Sequence, residues 1–406
     1  MPDIVYNYMK EINKLTGMEY RPFNYYGCED AENVIVAMGS VCDTVKLVVD
    51  DLNNNRGAKV GLIEVHLYRP FSAYYLKKVL PNTVKNIAVL DRTKEAGSIG
   101  EPLYLDVISV LKDTTIKVVG GRYGLSSKNT TPDQIFAVYE MLNSELKDNF
   151  TIGIVDDVTN LSLPKYDYNI DLGAQEIKIF GFGSDGMVST SKDIMKIMGA
   201  GTDKFVQSYN QYDSKKSGGV TISNLRFGKE PITSTYYVER ASIVVCTKDS
   251  YLKRLRMLEK IKDKGIFIVN TNKNSDEVLA MMSNHDKKIL QNKKVKMFII
   301  DANKIASEAG IPGKISTIIE TIIFKLGKIV DFNFAIDKIK ENLNVKFANK
   351  GGNIAEKNIV AIDNALKNLM PVKIPCVDFD FEIPVKKSLF EVIDSMEGDS
   401  LPVSSF

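Results

Sequence analysis

The sequence predicts an α/β protein of two consecutive domains, each a mainly parallel sheet with crossover helices, followed by a helical C-terminal part. Short apolar runs rich in valine and isoleucine alternate with segments whose apolar residues recur at helical spacing. This alternation occurs in two series, which a polar stretch around Pro164 separates. Because alternating strands and helices form parallel sheets, and because 406 residues exceed one ordinary domain, we expect two such domains.

The first domain is predicted over residues 30–155, after a tyrosine-rich amphipathic lead-in over residues 1–29. Its strands are short apolar runs, predicted at Asn33–Gly39, Lys59–Val65, Asn86–Asp91 and Ile116–Gly121. Its helices are predicted at Asp43–Asn53, Arg69–Leu80, Glu101–Leu111 and Pro132–Leu146. Thr131 and Pro132 mark the start of the last helix, because threonine is a favoured N-cap and proline suits the first helical position.

The second domain is predicted over residues 173–370, after a polar linker over residues 156–172. Its strands are predicted at Glu176–Gly181, Phe205–Tyr209, Ser242–Cys246, Gly265–Asn270 and Val295–Asp301. Its helices are predicted at Met187–Met198, Ser250–Lys262, from Pro312 onward, at Asp331–Leu343 and at Asn353–Met370. Residues 371–406 are punctuated by proline, and we expect an extended linker cut within a longer polypeptide.

Composition argues against two classes of partner. The chain carries 53 basic and 51 acidic residues, a net charge of +2, whereas a nucleic-acid-binding protein needs a basic stripe. No segment approaches the roughly 18 uninterrupted apolar residues that a membrane-spanning helix needs. The N-terminus lacks the basic and apolar regions of a secretory signal, so we expect a cytoplasmic protein.

Cysteines and histidines are too few and too scattered for several kinds of site. The four cysteines, Cys28, Cys42, Cys246 and Cys376, form no closely spaced pair. This spacing predicts reduced thiols and excludes an iron–sulfur cluster within the chain, because clusters need grouped thiolates. With only two histidines, a zinc site or a Ser-His-Asp triad is not expected, and we predict no metal site.

Two glycine-rich turns carry the main functional signal. Gly181–Gly186 follows a predicted strand and opens a predicted helix, and it fits the pattern G-x-G-x-x-G. Glycines let the backbone approach a ligand closely, and the first-turn N–H groups of a helix attract anions. Tyr212–Gly219 adds Lys215 and Lys216 with hydroxyl groups and further glycines. Together the turns predict a site for a phosphate-bearing molecule.

The pattern alone leaves three interpretations open: NAD, another phosphate ligand, or a structural turn. A NAD site requires an acidic residue at the end of the next strand. That strand ends in Asn210, and the nearest acid, Asp213, belongs to the lysine-containing turn. Arg226 either adds to the same positive patch or forms a salt bridge.

Several longer motifs resemble one family. They are Leu67-Tyr68-Arg69-Pro70-Phe71, Leu90–Glu95, Gly120–Lys128, Gly183–Gly186, Tyr212–Gly219 and Leu225–Gly228. In this order they are similar to the pyruvate:ferredoxin (flavodoxin) oxidoreductases, and the resemblance runs from about residue 20 to the end. It implies an internal fragment: a transketolase C-terminal-like domain followed by the Rossmann-like domain that forms the gamma subunit in split enzymes.

The resemblance implies a coenzyme A site in the second domain. Gly183, Ser184, Asp185, Gly186 and Met187 match the family's phosphate turn, and Lys215 matches its lysine. Asn358 matches an asparagine of that site, whereas Ser316 stands where the family has a second asparagine, so that contact is shortened here. No catalytic residue is expected in the fragment.

The resemblance also implies cofactors and partners outside this chain. The family uses thiamine diphosphate, Mg²⁺ and iron–sulfur clusters, and it passes electrons to ferredoxin, flavodoxin or a fused flavoprotein that reduces NADP. This chain has neither the family's thiamine–magnesium motif nor a cysteine cluster, so alone it is expected to be inactive. Its expected partners are the other domains of a homodimeric enzyme. The alternatives are a NAD(P)-dependent Rossmann dehydrogenase and a purely structural role.

Overall fold

The computed structural model describes residues 1–213, 218–348, 353–376 and 387–406. The chain divides into two compact units. One comprises Met1–Asp171 with Thr233–Tyr236 and Asp399–Phe406, and the other comprises Leu172–Ile232 with Tyr237–Gly398. Each unit contains one sheet covered by helices, which confirms the predicted α/β class. None of the helices in these ranges is both long enough and apolar enough to cross a membrane.

The first unit is built on a six-stranded sheet in the order β1-β3-β2-β4-β5-β6. The strands are β1 (Phe23–Gly27), β2 (Asn33–Ala37), β3 (Val60–Val65), β4 (Asn86–Asp91), β5 (Lys117–Arg122) and β6 (Phe150–Thr151). The helices are α1 (Pro2–Thr16), α2 (Val41–Arg56), α3 (Ala73–Val79), α4 (Pro102–Leu111) and α5 (Pro132–Asn143). All neighbouring strands are parallel except β1, which pairs antiparallel with β3. The predicted lead-in therefore supplies an edge strand.

Both faces of this sheet are buried, because successive side chains of a strand point to opposite faces. Ile35 and Ala37 of β2 pack into the core that α2 and α5 cover. Val34 and Val36 pack into the opposite core, which α3 and α4 cover. Continuous apolar strands of this kind are typical of parallel sheets with helices on both faces.

The second unit is built on a seven-stranded sheet in the order β13-β12-β11-β10-β7-β9-β8. The strands are β7 (Gln175–Phe182), β8 (Phe205–Tyr212), β9 (Val220–Gly228), β10 (Ala241–Cys246), β11 (Ile261–Asn270), β12 (Lys296–Ile300) and β13 (Met370–Val372). The helices are α6 (Met187–Gly201), α7 (Ser275–Met281), α8 (Asn284–Asn292), α9 (Ala302–Glu308), α10 (Ser316–Gly327), α11 (Phe332–Phe347), α12 (Ile354–Ala365) and α13 (Leu389–Asp394). Strands β7, β10, β11 and β12 are parallel, and α6 packs with α10, α11 and α12 on one face.

Several elements of the second unit differ from the prediction, and helices α7, α8 and α9 were not predicted. Strand β9 was not predicted, because polar residues such as Asn224 and Arg226 interrupt its apolar pattern; it pairs antiparallel with β7 and β8. The predicted helix Ser250–Lys262 is wrong: only Asp249–Lys253 forms a short 3₁₀ turn, and β11 begins at Ile261. The apolar residues of this segment recur at helical spacing because the segment, although mostly a loop, packs them into the core.

The C-terminal residues 371–406, predicted as an extended linker, contain regular structure. Val372 belongs to β13, and α13 begins at a capping box in which Ser388 and Glu391 each accept the other's backbone N–H. The prediction missed α13 because the surrounding segment is rich in proline. The Ser-x-x-Glu spacing at its start is the sequence signal that indicates the helix.

Candidate functional site

The turn Gly183–Gly186 joins the end of β7 to the start of α6. Ser184 and Gly186 both adopt positive φ angles, of 78° and 88°. At Gly186 a side chain would also meet a neighbour, since a Cβ built there would lie 3.3 Å from Ser316 Cβ. Gly186 therefore meets two requirements at once, a left-handed backbone and close approach to the start of α10.

The structure brings the described ends of the two predicted glycine-rich turns together. The N–H of Gly183 donates to the carbonyl oxygen of Gly219 over 2.8 Å. A Cβ on Gly183 would lie 3.3 Å from the amide nitrogen of Gly218. Lys215 lies outside the described residues.

Asp185 holds the turn in shape. Its Oδ1 accepts the backbone N–H of Met187 over 2.9 Å, and its Oδ2 accepts the N–H of Phe182 and the hydroxyl of Thr247, each over 2.7 Å. The Met187 side chain is 1% exposed and packs in the core beneath α6. Asp185 and Met187 thus organise the turn, and the Met187 N–H is engaged within it.

The first turn of α6 presents unused backbone donors. Within the described ranges, no acceptor is hydrogen-bonded to the N–H groups of Val188 and Ser189. These groups lie at the positive end of the dipole of a 15-residue helix, which favours an anion there. The half-exposed Lys346 ammonium adds a positive charge, with its Nζ 3.3 Å from Ser189 Oγ and 3.2 Å from Asp193 Oδ2.

Sequence reasoning missed Lys346. The residue occupies the last turn of α11 and has no distinguishing sequence context, since lysines are common on exposed helix faces. Only the packing of α11 beside α6 brings its ammonium to the helix N-terminus. No local signal could have identified it.

Of the two more distant site residues, Ser316 lies against this turn, and Asn358 lines a cavity together with Ser316. Ser316 begins α10, and its carbonyl oxygen accepts the hydroxyl of Thr190 over 3.4 Å. Asn358 of α12 is 4% exposed; its Oδ1 accepts the hydroxyl of Thr317 over 3.1 Å, and its Nδ2 donates to the Ile354 carbonyl over 2.8 Å. The Asn358 Oδ1 atom can accept one further hydrogen bond, and its Nδ2 group can donate one more.

Ser316 and Asn358 line one cavity of about 370 Å³ between α10, α11 and α12. Glu320 lies in its wall, 5% exposed, and among the described residues its Oε1 has no hydrogen-bond partner. Burial raises the pKa of this carboxyl well above its ordinary value; Asp193 raises it further and Lys346 opposes the shift. The cavity thus combines a carboxyl whose protonated form is favoured with an amide and hydroxyl groups.

A second cavity, of about 410 Å³, lies at the carboxyl ends of β10, β11 and β12. Asp249 at its edge accepts hydrogen bonds from Lys273 Nζ over 2.7 Å and from Thr271 Oγ1 over 2.9 Å. Partial burial raises the pKa of Asp249, but these hydrogen bonds outweigh it and lower the pKa overall. The Asp249 carboxylate is therefore satisfied by Lys273 and Thr271.

Arg226 takes the structural role of the two that the sequence allowed. Its Nε donates to Glu176 Oε1 over 2.8 Å, its NH1 to Gln207 Oε1 over 2.8 Å and its NH2 to the Tyr237 carbonyl over 2.9 Å. Both ionised side chains are buried. Among the residues with described placement, no cluster of histidine, cysteine and acidic side chains could hold a metal ion, and all four cysteines are free thiols.

Comparisons with known proteins cover both units. A family described as "Pyruvate ferredoxin/flavodoxin oxidoreductase" matches residues 176–368, and one described as "Pyruvate:ferredoxin oxidoreductase core domain II" matches residues 31–135. The chain is 44% identical to the pyruvate:ferredoxin oxidoreductase of Moorella thermoacetica and 40% identical to the pyruvate-flavodoxin oxidoreductase of Enterobacter agglomerans, each over 421 aligned residues. Each alignment covers 100% of this chain and 36% of the relative, so the chain spans about a third of the length of these curated relatives.

Among solved structures, the PORC subunit of the pyruvate oxidoreductase of Thermotoga maritima is similar to this chain. It aligns with a TM-score of 0.40 and 20% sequence identity. The alignment covers 50% of this chain and 99% of that subunit.

Proposed function

The chain belongs to the pyruvate:ferredoxin/flavodoxin oxidoreductase family, and from this membership we propose that it forms part of an enzyme that oxidatively decarboxylates pyruvate to acetyl-coenzyme A. The two relatives named above use ferredoxin or flavodoxin, so the electron acceptor is one of these or a fused NADP-reducing flavoprotein. The enzyme is cytoplasmic and homodimeric. This chain binds coenzyme A and packs against the domains that hold thiamine diphosphate.

The observation that best supports coenzyme A binding is that three separate parts of the second unit lie next to one another. Gly186 of the phosphate turn lies against Ser316, and Ser316 lines the same cavity as Asn358. The family resemblance assigns all three to one ligand. Their proximity is what a single ligand-binding site requires, although the residues are far apart in the sequence.

The electrostatics suit the charge of coenzyme A. The ligand carries a 3′-phosphate and a pyrophosphate, and the free N–H groups of Val188 and Ser189 offer hydrogen bonds to phosphate oxygens. Lys346 stands beside the same helix turn, and Lys215 belongs to the neighbouring glycine-rich turn. A flexible lysine binds phosphate as a point charge.

The contribution of this chain to acetyl transfer is positional. By holding the nucleotide end of coenzyme A, it keeps the thiol arm in reach of the acyl donor, which converts an encounter between two molecules into a local event. The residues of this chain do not fit thiamine diphosphate, Mg²⁺ or an iron–sulfur cluster, because the sequence lacks the corresponding motifs. We therefore assign no chemical step to them.

The NAD alternative loses support from the strand order. In a dinucleotide site, the acid that binds the ribose follows the strand next to the glycine-rich one. Here β9 lies between β7 and β8, so Asp213 follows a strand two positions away. Asp213 therefore does not occupy the position that the ribose-binding acid takes in a dinucleotide site.

Calorimetric titration of the 406-residue chain with coenzyme A tests the proposal. We expect binding that Lys215→Ala and Lys346→Met each weaken by about tenfold, because each removes a charge-assisted hydrogen bond. Lys338→Met is the matched control, since Lys338 lies on the same helix as Lys346 and forms an exposed pair with Glu341. Equal affinities for all four proteins, or no binding by the unaltered chain, would refute the assigned site.

A further inference from the structure

Strand β8 forms one edge of the seven-stranded sheet in the second unit, next to β9. It is eight residues long, whereas β13 at the opposite edge has three residues, of which one is Pro371. A short strand or a proline at an edge prevents the sheet from pairing with another chain. The β13 edge therefore has this protection, and the β8 edge has neither form of it.

The outer side of β8 presents free backbone groups. The N–H of Asp213 donates to the Val220 carbonyl over 3.0 Å, and the Tyr209 carbonyl accepts from Asn224 Nδ2 over 3.3 Å, so both residues direct these groups towards β9. Because successive residues of a strand direct their backbone groups to opposite sides, the alternate residues face outward. These are Val206, Ser208, Asn210 and Tyr212. Within the described ranges, no acceptor is hydrogen-bonded to their N–H groups.

The side chains of β8 also lack the charges that commonly protect an exposed edge. Residues Phe205–Tyr212 include no charged residue, no proline and no glycine. Phe205, Tyr209 and Tyr212 are exposed, and aromatic residues favour β pairing. An uncharged edge with free N–H and C=O groups is a template for a further strand. We therefore expect another strand to cover β8 in the assembled enzyme.

The sequence of β8 is complementary to itself in an antiparallel register centred on Tyr209. In this register the outward-facing residues meet, Val206 opposite Tyr212 and Ser208 opposite Asn210, and each pair can exchange two backbone hydrogen bonds. Valine opposite tyrosine is a favourable pair of β-branched and aromatic side chains, and serine can share a hydrogen bond with asparagine. No like charges meet within the strand.

We propose that a second copy of this chain pairs with β8 along this edge, so that the two sheets become continuous across a two-fold axis at Tyr209. Self-complementarity favours a second copy as the occupant, because a strand of different sequence would not require β8 to match itself. Such an interface uses the same surface on both subunits and therefore closes as a dimer. The inference rests on the homodimer of the proposed function, and it adds the surface through which the copies meet.

Analytical ultracentrifugation of the 406-residue chain over a range of concentrations tests this surface. We expect the unaltered chain to sediment with the mass of two copies and Ser208→Pro with the mass of one. Proline removes the outward N–H of residue 208 and obstructs a strand on that side, whereas an edge strand tolerates it there. An unaltered chain that remains single at every concentration, or a Ser208→Pro variant that is folded by circular dichroism and still dimeric, would overturn the proposal.

Substitutions at Tyr209 test the position of the axis without changing the backbone. Because this side chain is 58% exposed, Tyr209→Lys and Tyr209→Glu should both fold. Each variant sets two like charges opposite each other in the proposed register and removes an aromatic pair, which should weaken self-association by about tenfold. An equimolar mixture should recover association, because lysine then faces glutamate. A mixture that associates no better than either variant alone would show that Tyr209 does not lie at the axis.

Tyr8→Lys is the matched control. Tyr8 is an exposed tyrosine of α1, in the first unit, and the substitution introduces the same charge as Tyr209→Lys. We expect Tyr8→Lys to associate as tightly as the unaltered chain. If Tyr8→Lys dissociates instead while Tyr209→Lys remains dimeric, the copies meet at α1 and the β8 interface is wrong.

This inference and the coenzyme A site fail separately. A chain that binds coenzyme A in the calorimetric titration but remains single at every concentration refutes the β8 interface and leaves the coenzyme A site standing. A chain that forms the dimer, loses it in Ser208→Pro and binds no coenzyme A refutes the coenzyme A site and leaves the interface standing.

Discussion

Gly186 shows how much can depend on a single missing side chain. Its φ of 88° favours glycine, and its Cα faces Ser316 so closely that a Cβ would compress the contact. Gly313 has a similar φ of 72° but open space around it. A comparison of Gly186 with Gly313 therefore separates the cost of the left-handed backbone from the cost of the steric contact with Ser316.

We predict that Gly186→Ala lowers the free energy of unfolding more than Gly313→Ala does. The backbone strain alone should cost about 1 kcal/mol in each. The contact with Ser316 should roughly double the loss at Gly186, within the range known for small overpacking changes. Urea denaturation measures both, and equal losses would show that the Ser316 contact yields without cost.

Glu320 makes stability depend on pH in an unusual direction. Its pKa is raised in the folded state, so the folded protein holds a proton that the unfolded chain releases above about pH 4.3. Stability is therefore full below the unfolded pKa and is lost as the pH rises towards the folded pKa. Asp193 and Lys346 face the same carboxyl, and Asp193 reinforces the shift while Lys346 opposes it.

We predict that the unaltered chain loses stability relative to Glu320→Gln as the pH rises from 5 to 8. The slope cannot exceed about 1.4 kcal/mol per pH unit for one proton. Urea denaturation of both proteins at several pH values measures it. A constant difference across this range would mean that Glu320 titrates normally.

A buried ion pair links β9 to its neighbour β7. Arg226 of β9 and Glu176 of β7 lie opposite each other in the antiparallel ladder, and the guanidinium also bonds to Gln207 of β8. Burial raises the pKa of Glu176, and the adjacent Arg226 charge opposes that shift. The interaction therefore joins three strands, and it satisfies the polar residues that interrupt the apolar pattern of β9.

We predict that Arg226→Met destabilises the second unit by about 3–5 kcal/mol, because it leaves the Glu176 carboxylate buried without a partner. The double variant Glu176→Met with Arg226→Met should recover much of this loss, since no charge then remains buried. Lys338→Met, which breaks an exposed pair, should change stability by less than about 1 kcal/mol. Chemical denaturation checks the series, and a double variant as unstable as the single one would contradict it.

The prediction of a helix failed where apolar residues recur at helical spacing without forming a helix. Tyr251, Leu252, Leu255 and Leu258 recur as on a helix, yet they belong to a short 3₁₀ turn and the loop after it, and all four pack into the core. By contrast, β2, β4 and α2 were predicted within a few residues, because their apolar patterns match the faces they bury. Local pattern therefore predicts an element well when one regular face is buried.

The chain as a whole covers about a third of the length of its curated relatives. Its four cysteines are dispersed over both units, and Cys42 and Cys246 are buried, which raises the pKa of each thiol to about 12. These thiols are consistent with packing roles.

We predict that the isolated chain shows no coenzyme A-dependent oxidation of pyruvate. The expected rate with methyl viologen as acceptor is that of the buffer, because the sequence supplies neither grouped cysteines nor a thiamine motif. The assay with thiamine diphosphate, Mg²⁺ and coenzyme A added measures it, with a full-length relative as positive control. Turnover above the buffer rate would show that a redox centre forms in this chain.

The sequence by itself determined the α/β class, most of the elements and the turn after β7, because these follow from spacing over a few residues. Only the tertiary structure decided the strand order, the insertion of β9, the contact of Gly186 with Ser316, and the position of Lys346 beside Ser189 and the cavity that holds Glu320. The reason is physical: pairing of distant strands and packing of α10, α11 and α12 against α6 depend on many weak contacts between remote segments. Those contacts produce no periodic pattern in the sequence from which they could be predicted.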